Sequence, residues 1–222
     1  MQCFSPIHIR KDAPDGGSTV PCGKCEACVA NKASQWYVRL KQQLRDSWNA
    51  VFVTLTYDED NLPDARLDEN DFINIDVSRD DIRKYHYRLR KSLGESSKEM
   101  KYFLVSEYGP KPQNGWLNRP HYHAIYFNVD KCNYEKFSKA WSKGHVEIGE
   151  DVTEARIRYI AGYCLEKNFC PPGRLPTFAC ISNGIGSGYI ERMRSFHNGD
   201  LQRVFVPDHG RKLPMPRYYR DT

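Results

Sequence analysis

The segment RPHYHAIYF, residues 119–127, carries two histidines, His121 and His123, one residue apart. Its aromatic and apolar content reads as a β-strand, in which alternate side chains share a face. The two imidazoles then stand beside Ile125 and Phe127, while Tyr122, Ala124 and Tyr126 point the other way. Paired neutral imidazoles suit a divalent cation, and a hard or borderline cation takes a carboxylate as well. Glu107, ending the preceding strand-like run KYFLVSE, is the candidate third ligand, because a Gly/Pro/Asn-rich turn returns the chain beside it. Three ligands leave positions for water and a substrate phosphate, as Lewis-acid catalysis requires. A pair of packed structural histidines would show the same local sequence, so the spacing alone leaves both readings open.

A second group lies in TEARIRYIAGYCLEKNF, a helical pattern opened by Thr153. Tyr159, Tyr163 and Lys167 recur every four residues, which puts them on one helical face with neighbours roughly 6 Å apart. Ile157, Ile160 and Cys164 supply the buried stripe. A tyrosine can act as a covalent nucleophile, but its phenol has a pKa near ~10 and needs a nearby cation or base. Lys167 and a metal would supply that field. Tyrosines covering a sheet edge with their hydroxyls in water are the other reading.

A third group is Cys22-x-x-Cys25-x-x-Cys28. Three thiols at this spacing can wrap a Zn²⁺ and need a fourth ligand; Cys3 is the choice and His8 the alternative. An iron–sulfur cluster would want a fourth Cys shortly downstream, where Lys32 stands. Cys132, Cys164, Cys170 and Cys180 read as small buried apolar residues.

The chain has 222 residues, enough for one sizeable core. No apolar run reaches the roughly 18 residues of a membrane span. The start, MQCFSPIHIR, lacks the pattern of a secretory signal, which points to a cytosolic protein. Net charge is +5, but residues 58–77 hold eight acids against Arg66 alone, or −7, so the remainder carries +5 − (−7) = +12. A basic body with one acidic loop fits a polyanionic partner. The phosphate-contact candidates are Arg83, Lys84, Arg88, Arg90 and Lys91 on one helix, then Arg119, then Arg211, Lys212 and Arg217 in the ending GRKLPMPRYYR. In that ending Arg and Tyr interleave as in single-strand binders. SNGIGSG lacks dinucleotide-loop spacing, which argues against a dinucleotide fold.

These groups need elements to position them. A helical pattern runs from Ala33 through Trp36, Leu40 and Leu44. VFVTLTY, 51–57, reads as a buried strand. Ser78 caps a helix with Asp81 three residues on, and Gly94 stops it. Strands follow at 101–107 and 121–128, then a helix capped by Asn133, the short strand HVEI and the tyrosine helix. A short helix is expected around 188–197. The order predicts an α+β, ferredoxin-like antiparallel sheet with helices on one face. Residues 1–32 would form a Cys-rich metal knob, 33–170 the core and 171–222 a Gly/Pro-rich basic extension packed on or near it.

In this order VFVTLTY, a His–hydrophobic–His strand and a YxxxY helix with a downstream Lys resemble the motif series of rolling-circle replication initiators, the HUH endonucleases. PCGKCEACVANKASQWYVRL, VFVTLTYDEDNLP, SEYG, RPHYHAIYF, YIAGYCLEK, SNGIGSGY and GRKLPMPRYYRD together resemble the initiators of single-stranded DNA microviruses of the gokushovirus type, over nearly the whole chain. The resemblance implies a reaction in which a tyrosine attacks a phosphodiester of single-stranded DNA at the viral origin. It leaves a 5′-phosphotyrosine and a free 3′-hydroxyl, with Mg²⁺ or Mn²⁺ at the histidine site. It also implies that paired tyrosines can alternate, so both Tyr159 and Tyr163 are candidates; Tyr163, one turn from Lys167, is favoured. Gly162 departs from the lysine that related initiators can have before the second tyrosine. The setting implied is the cytoplasm of the bacterial host. With no helicase P-loop in the sequence, strand separation would fall to a host helicase and replication proteins. A non-catalytic zinc-containing nucleic-acid-binding module and an HUH transposase or relaxase are the alternatives, although an RNP1 signature is not apparent.

Overall fold

The computed structural model describes residues 2–9, 16–67, 73–109, 119–149, 151–162, 171, 173–200 and 202–221. It opens with a small hairpin of β1 (Ile7–Ile9) and β2 (Ser18–Val20), followed by α1 (Glu26–Asp46) and β3 (Ala50–Thr56). A second hairpin, β4 (Ala65–Leu67) and β5 (Ile73–Ile75), precedes α2 (Arg79–Leu93), β6 (Lys101–Tyr108), β7 (Pro120–Phe127), α3 (Glu135–Ala140), β8 (Val146–Gly149) and α4 (Glu154–Gly162). The chain ends with β9 (Ala179–Ile181), α5 (Gly188–Asn198), β10 (Phe205–Asp208), β11 (Arg211–Pro214) and α6 (Arg217–Arg220).

Local chemistry accounts for much of this. The Ser78 hydroxyl accepts from the Asp81 backbone N–H at 3.1 Å and so caps α2. Ile82, Tyr85, Leu89 and Leu93 recur at helical spacing and are buried. Gly94, with φ of 58°, stops the helix in a backbone region that favours glycine. Two boundaries differ from expectation. Helix α1 begins at Glu26, not Ala33, and carries Cys28 in its first turn. The anticipated Asn133 cap is replaced by Asp130, whose carboxylate accepts from the Cys132 N–H and caps a 3₁₀ turn before α3.

Five strands pair in the order β8-β3-β7-β6-β9, each neighbouring pair antiparallel. The units β3-α2-β6 and β7-α3-β8 interleave, which is the split βαβ connectivity. Strand β7, bearing both histidines, lies in the middle. Strand β9 adds a fifth strand to β6 through Phe103↔Ile181 and its two neighbours.

Helices cover both faces of the sheet, which corrects the expectation of a single covered face. On one side Val51, Val53, Leu55, Leu104, Tyr122, Ala124 and Tyr126 pack with Ile82, Tyr85 and Leu89 of α2 and Phe137 of α3. On the other, Ala50, Phe103, Val105, Ile125 and Phe127 pack with Val38 and Leu40 of α1 and Ile157 and Ile160 of α4. The cause is strand composition: both alternating sets are apolar, so neither face is stable in water. Fully burying each large side chain, such as Phe103, Tyr126 or Phe127, contributes about 1.5–3 kcal/mol. Among the described residues no helix is long and apolar enough to cross a membrane.

Candidate metal centre and its flanking helix

Where the apolar cover of the α1 side ends, the same sheet face turns polar. Glu107 of β6 pairs with His121 of β7, and His121 and His123 pair across β3 with Thr56 and Thr54. Period-two alternation aims these side chains to one side. Glu107 Oε2 lies 3.0 Å from His121 Nε2 and 3.1 Å from His123 Nε2. The rings stand 5.0 Å apart at 85°. All three groups are largely withdrawn from solvent, with side-chain exposures of 15%, 17% and 10% for Glu107, His121 and His123.

The outer ring nitrogens fix which atoms face inward. His121 Nδ1 is 3.2 Å from the Arg119 carbonyl oxygen, which can only accept, so Nδ1 carries the proton. His123 Nδ1 meets the Thr54 hydroxyl at 3.1 Å, which can accept in the same way. Neutral imidazoles in this tautomer point Nε2 lone pairs at a carboxylate oxygen about one hydrogen-bond length away. Lone pair against anion is unfavourable unless a proton or cation sits among them. The donor set of two imidazole nitrogens and one carboxylate, each imidazole held from behind, fits a divalent ion. Thr54 and the Arg119 carbonyl were not singled out from the sequence. The signal for Thr54 was present, since a threonine within the buried run VFVTLTY invites a polar partner.

Helix α4 stands beside this cluster. Ile157 and Ile160 are fully buried, which turns Tyr159 outward at 49% exposure. The Tyr159 ring lies 5.5 Å from that of His123 at 72°, and 6.5 Å from that of Phe52. The start of the helix is tied to α1. The Glu154 carboxylate accepts from Tyr37 Oη, from Arg158 at 2.8 Å and from Lys41 at 3.2 Å. Those donors hold its carboxyl down to about 2. Lys41 also reaches Asp208 of β10 at 2.6 Å, so one charged knot joins α1, α4 and the C-terminal segment. Tyr163, Cys164, Lys167 and Cys170 lie outside the described residues.

The second cluster is at the N-terminus. Cys3, Cys22, Cys25 and Cys28 bring their sulfurs within 4.8 Å of one another. Two edges, Cys3–Cys25 at 3.8 Å and Cys22–Cys28 at 4.0 Å, match the ~3.8 Å edge of a tetrahedron with ~2.3 Å metal–sulfur bonds. Backbone N–H groups of Phe4 and Cys28 pull the Cys25 thiol down to about 6, and desolvation pushes Cys28 up to about 12. His8, the alternative ligand, instead meets the Thr19 hydroxyl at 2.8 Å. Cys132 is exposed and Cys180 half-buried, so neither is the buried apolar residue expected: Cys132 sits in a surface 3₁₀ turn, and Cys180 on the short edge strand β9.

The basic candidates do not converge on the histidines. Arg83, Lys84, Arg88, Arg90 and Lys91 are on α2, which covers the opposite sheet face. There Arg83 and Lys84 pair with Asp80, Arg88 Nε donates to the Ala140 carbonyl, and Arg90 lies 5.8 Å over Tyr102. Arg119 adjoins the cluster, but its guanidinium pairs with Glu59 and donates to the Tyr57 carbonyl. Arg211 is exposed, Lys212 stands over Phe205 at 4.7 Å, and Arg217 pairs with Asp221.

The family model of the phage replication-associated protein ORF2 matches residues 50–168, a range that opens at β3 and takes in Glu107, His121, His123 and α4. The chain belongs to this family. As a member of the ORF2 family it is 28% identical over 223 residues to the replication-associated protein VP4 of Bdellovibrio phage phiMH2K, covering 90% of this chain and 66% of that one. It is 27% identical to the replication-associated protein ORF2 of Spiroplasma virus 4, again over 90% of this chain and 66% of the relative. It is also 27% identical to the replication-associated protein ORF4 of Chlamydia phage 1, over 91% and 53%. The chain thus spans just under two thirds of the first two relatives and about half of the third. These matches bear out the resemblance to phage replication initiators. No solved structure matches the chain.

Proposed function

We propose that this member of the ORF2 replication-associated family nicks and rejoins single-stranded DNA at a viral origin, and so starts and ends rolling-circle replication, on an HUH-type sheet. One observation carries the reading: the Tyr159 phenol ring packs against His123, a member of a converging Glu107/His121/His123 donor set. Held by those three side chains, Mg²⁺ or Mn²⁺ would polarise the scissile phosphate and offset its developing charge.

The chain's own residues do the rest. Thr54 and the Arg119 carbonyl hold the two imidazoles in the ligating tautomer. The Glu154 knot and the buried Ile157 and Ile160 fix α4 so that its tyrosine face meets the cluster. The phenol of Tyr159 or Tyr163 loses its proton and its oxygen forms the new P–O bond. The P–O3′ bond breaks, and the 3′ oxygen takes up a proton. The products are a 5′-phosphotyrosine and a 3′-hydroxyl that primes synthesis; attack by a 3′-hydroxyl on the phosphotyrosine reverses the balance and rejoins the ends. Lys167 would favour the phenolate. The four-cysteine cluster would hold a structural Zn²⁺ that ties residues 1–32 to α1. The partners in this reading are the single-stranded origin and a host helicase in the bacterial cytoplasm.

The test is an adduct assay. The protein is mixed with single-stranded origin oligonucleotides and Mn²⁺, then run on a denaturing gel. A covalent species that is absent in EDTA is expected; a protein that binds the oligonucleotide and never forms it would be the non-catalytic module instead.

A further inference from the structure

The sheet face that carries the candidate metal centre continues toward edge strand β8, and there the fold builds a seat for a guanidinium. Phe52 of β3 pairs with Gly149 of β8 and lies two residues from Thr54, about 7 Å along the strand from the His123 row. Above this pair sits Arg156 of α4, three residues before Tyr159. Its Cζ is 5.4 Å from the Phe52 ring centre. Phe52 in turn lies 5.7 Å from the His123 ring and 6.5 Å from the Tyr159 ring. Gly149 is the floor of the seat. A Cβ there would stand 2.5 Å from Arg156 Nη1, 2.8 Å from Nη2 and 2.9 Å from Cζ. Arg156 Nη1 donates to the Asp151 carbonyl at 2.6 Å, which holds the group in place.

Among the described residues Arg156 pairs with no carboxylate, unlike Arg158 two positions on, which is engaged by Glu154. A planar guanidinium laid on a ring keeps its edge donors available, and that fork matches the oxygens of a phosphodiester. Glu147, one row along on the same face and exposed, repels phosphate from its own position and so confines an anion to the Arg156 row.

We propose that Arg156, seated by Phe52 and Gly149, is a phosphodiester-binding subsite for the phosphate next to the one that is cut. The position of the cut rests on the nicking reading; the anion site itself does not. The subsite supplies, close to the cut, the cation that the α2 arginines are on the wrong face to give.

The test reads binding of fluorescein-labelled single-stranded origin oligonucleotides in EDTA, so that no cutting is needed. Arg156→Ala is expected to weaken binding about tenfold and to flatten the dependence of log affinity on log salt by ~0.7, with an unchanged melting temperature. Arg156→Lys should keep the salt slope and recover part of the affinity. Gly149→Ala keeps the charge but displaces the guanidinium, and should lose affinity in the same direction. A single methylphosphonate walked along the oligonucleotide should penalise the wild type, and not Arg156→Ala, at one position adjacent to the cut. Wild-type affinity and salt slope in Arg156→Ala, or equal methylphosphonate penalties in both proteins, would overturn the subsite. If Arg156→Ala loses affinity but the wild type never forms an adduct, the subsite stands and the nicking reading falls. If the adduct forms and Arg156→Ala is indifferent, the reverse holds.

Discussion

The ring of Tyr159 stands 5.5 Å from the ring of His123, crossing it at 72°. A phenol on a helix and an imidazole on the central strand of the sheet therefore share one corner of the molecule. Separating metal binding from DNA binding at this corner is straightforward. Glu107→Gln and His123→Ala are expected to lower adduct formation on the order of 10³-fold, while affinity for a single-stranded oligonucleotide in EDTA stays within about threefold of wild type. Equal loss of both would mean that the cluster is a packing feature.

The Thr54 hydroxyl touches His123 Nδ1 and no phosphate need touch it. Thr54→Val keeps the volume and removes the hydrogen bond. Calorimetric titration with Mn²⁺ should show a roughly 10–100-fold weaker site, as expected when the partner behind a ligating histidine is lost. Wild-type Mn²⁺ affinity in this variant would show that Thr54 does not orient the ring.

The four sulfurs near Cys28 predict one zinc per chain in protein purified with reductant, measured by elemental analysis. Cys25→Ser should bring the content well below one and lower the melting temperature, at about 2–4 °C per kcal/mol for a domain of this size. A full-length, folded protein with no zinc would refute the assignment.

His86 of α2 is buried beside Arg90, and its Nε2 lies 2.9 Å from Tyr126 Oη. Burial first, and the Arg90 charge second, push its pKa down to about 3. In the unfolded chain an unperturbed histidine titrates near ~6.5, so below that pH the unfolded state binds more protons. The His86 contribution is therefore fully present above pH ~6.5 and is lost as pH falls toward about 3. Thermal melts at pH 7.5 and 5 should show a smaller drop for His86→Gln, which keeps a polar partner for Tyr126 but does not titrate. Parallel curves for the two proteins would contradict this.

How far the sequence disclosed these features depends on the strength of local signals. The βαββαβ order was legible because strands such as PHYHAIYF alternate strictly and because Ser78 and Gly94 mark the ends of α2 by side-chain and backbone chemistry. Glu107 was reachable because a turn between two strands fixes their neighbours. The second helical layer was missed, although Phe52, Ile125 and Phe127 on the histidine side of their strands already required a cover. Strand β9 is three residues long, too short for a period, and forms because β6 offers it an edge. The distance of the α2 arginines from the histidines could not be read either, since periodicity gives the buried face of a helix but not the side of the sheet it lands on. The seat of Arg156 depends on a glycine and a phenylalanine far apart in sequence that only the β3–β8 register brings together.

Peptide mapping of the covalent species is the most direct test. The DNA-linked protein is digested with nuclease and protease, and the nucleotide-bearing tyrosine is located by mass spectrometry, with Tyr159→Phe, Tyr163→Phe and the double change alongside. The account predicts a phosphonucleotide on Tyr159 or Tyr163 and no adduct in the double variant. An adduct that persists in the double variant, or one mapped to a residue away from the His123 corner, would contradict it.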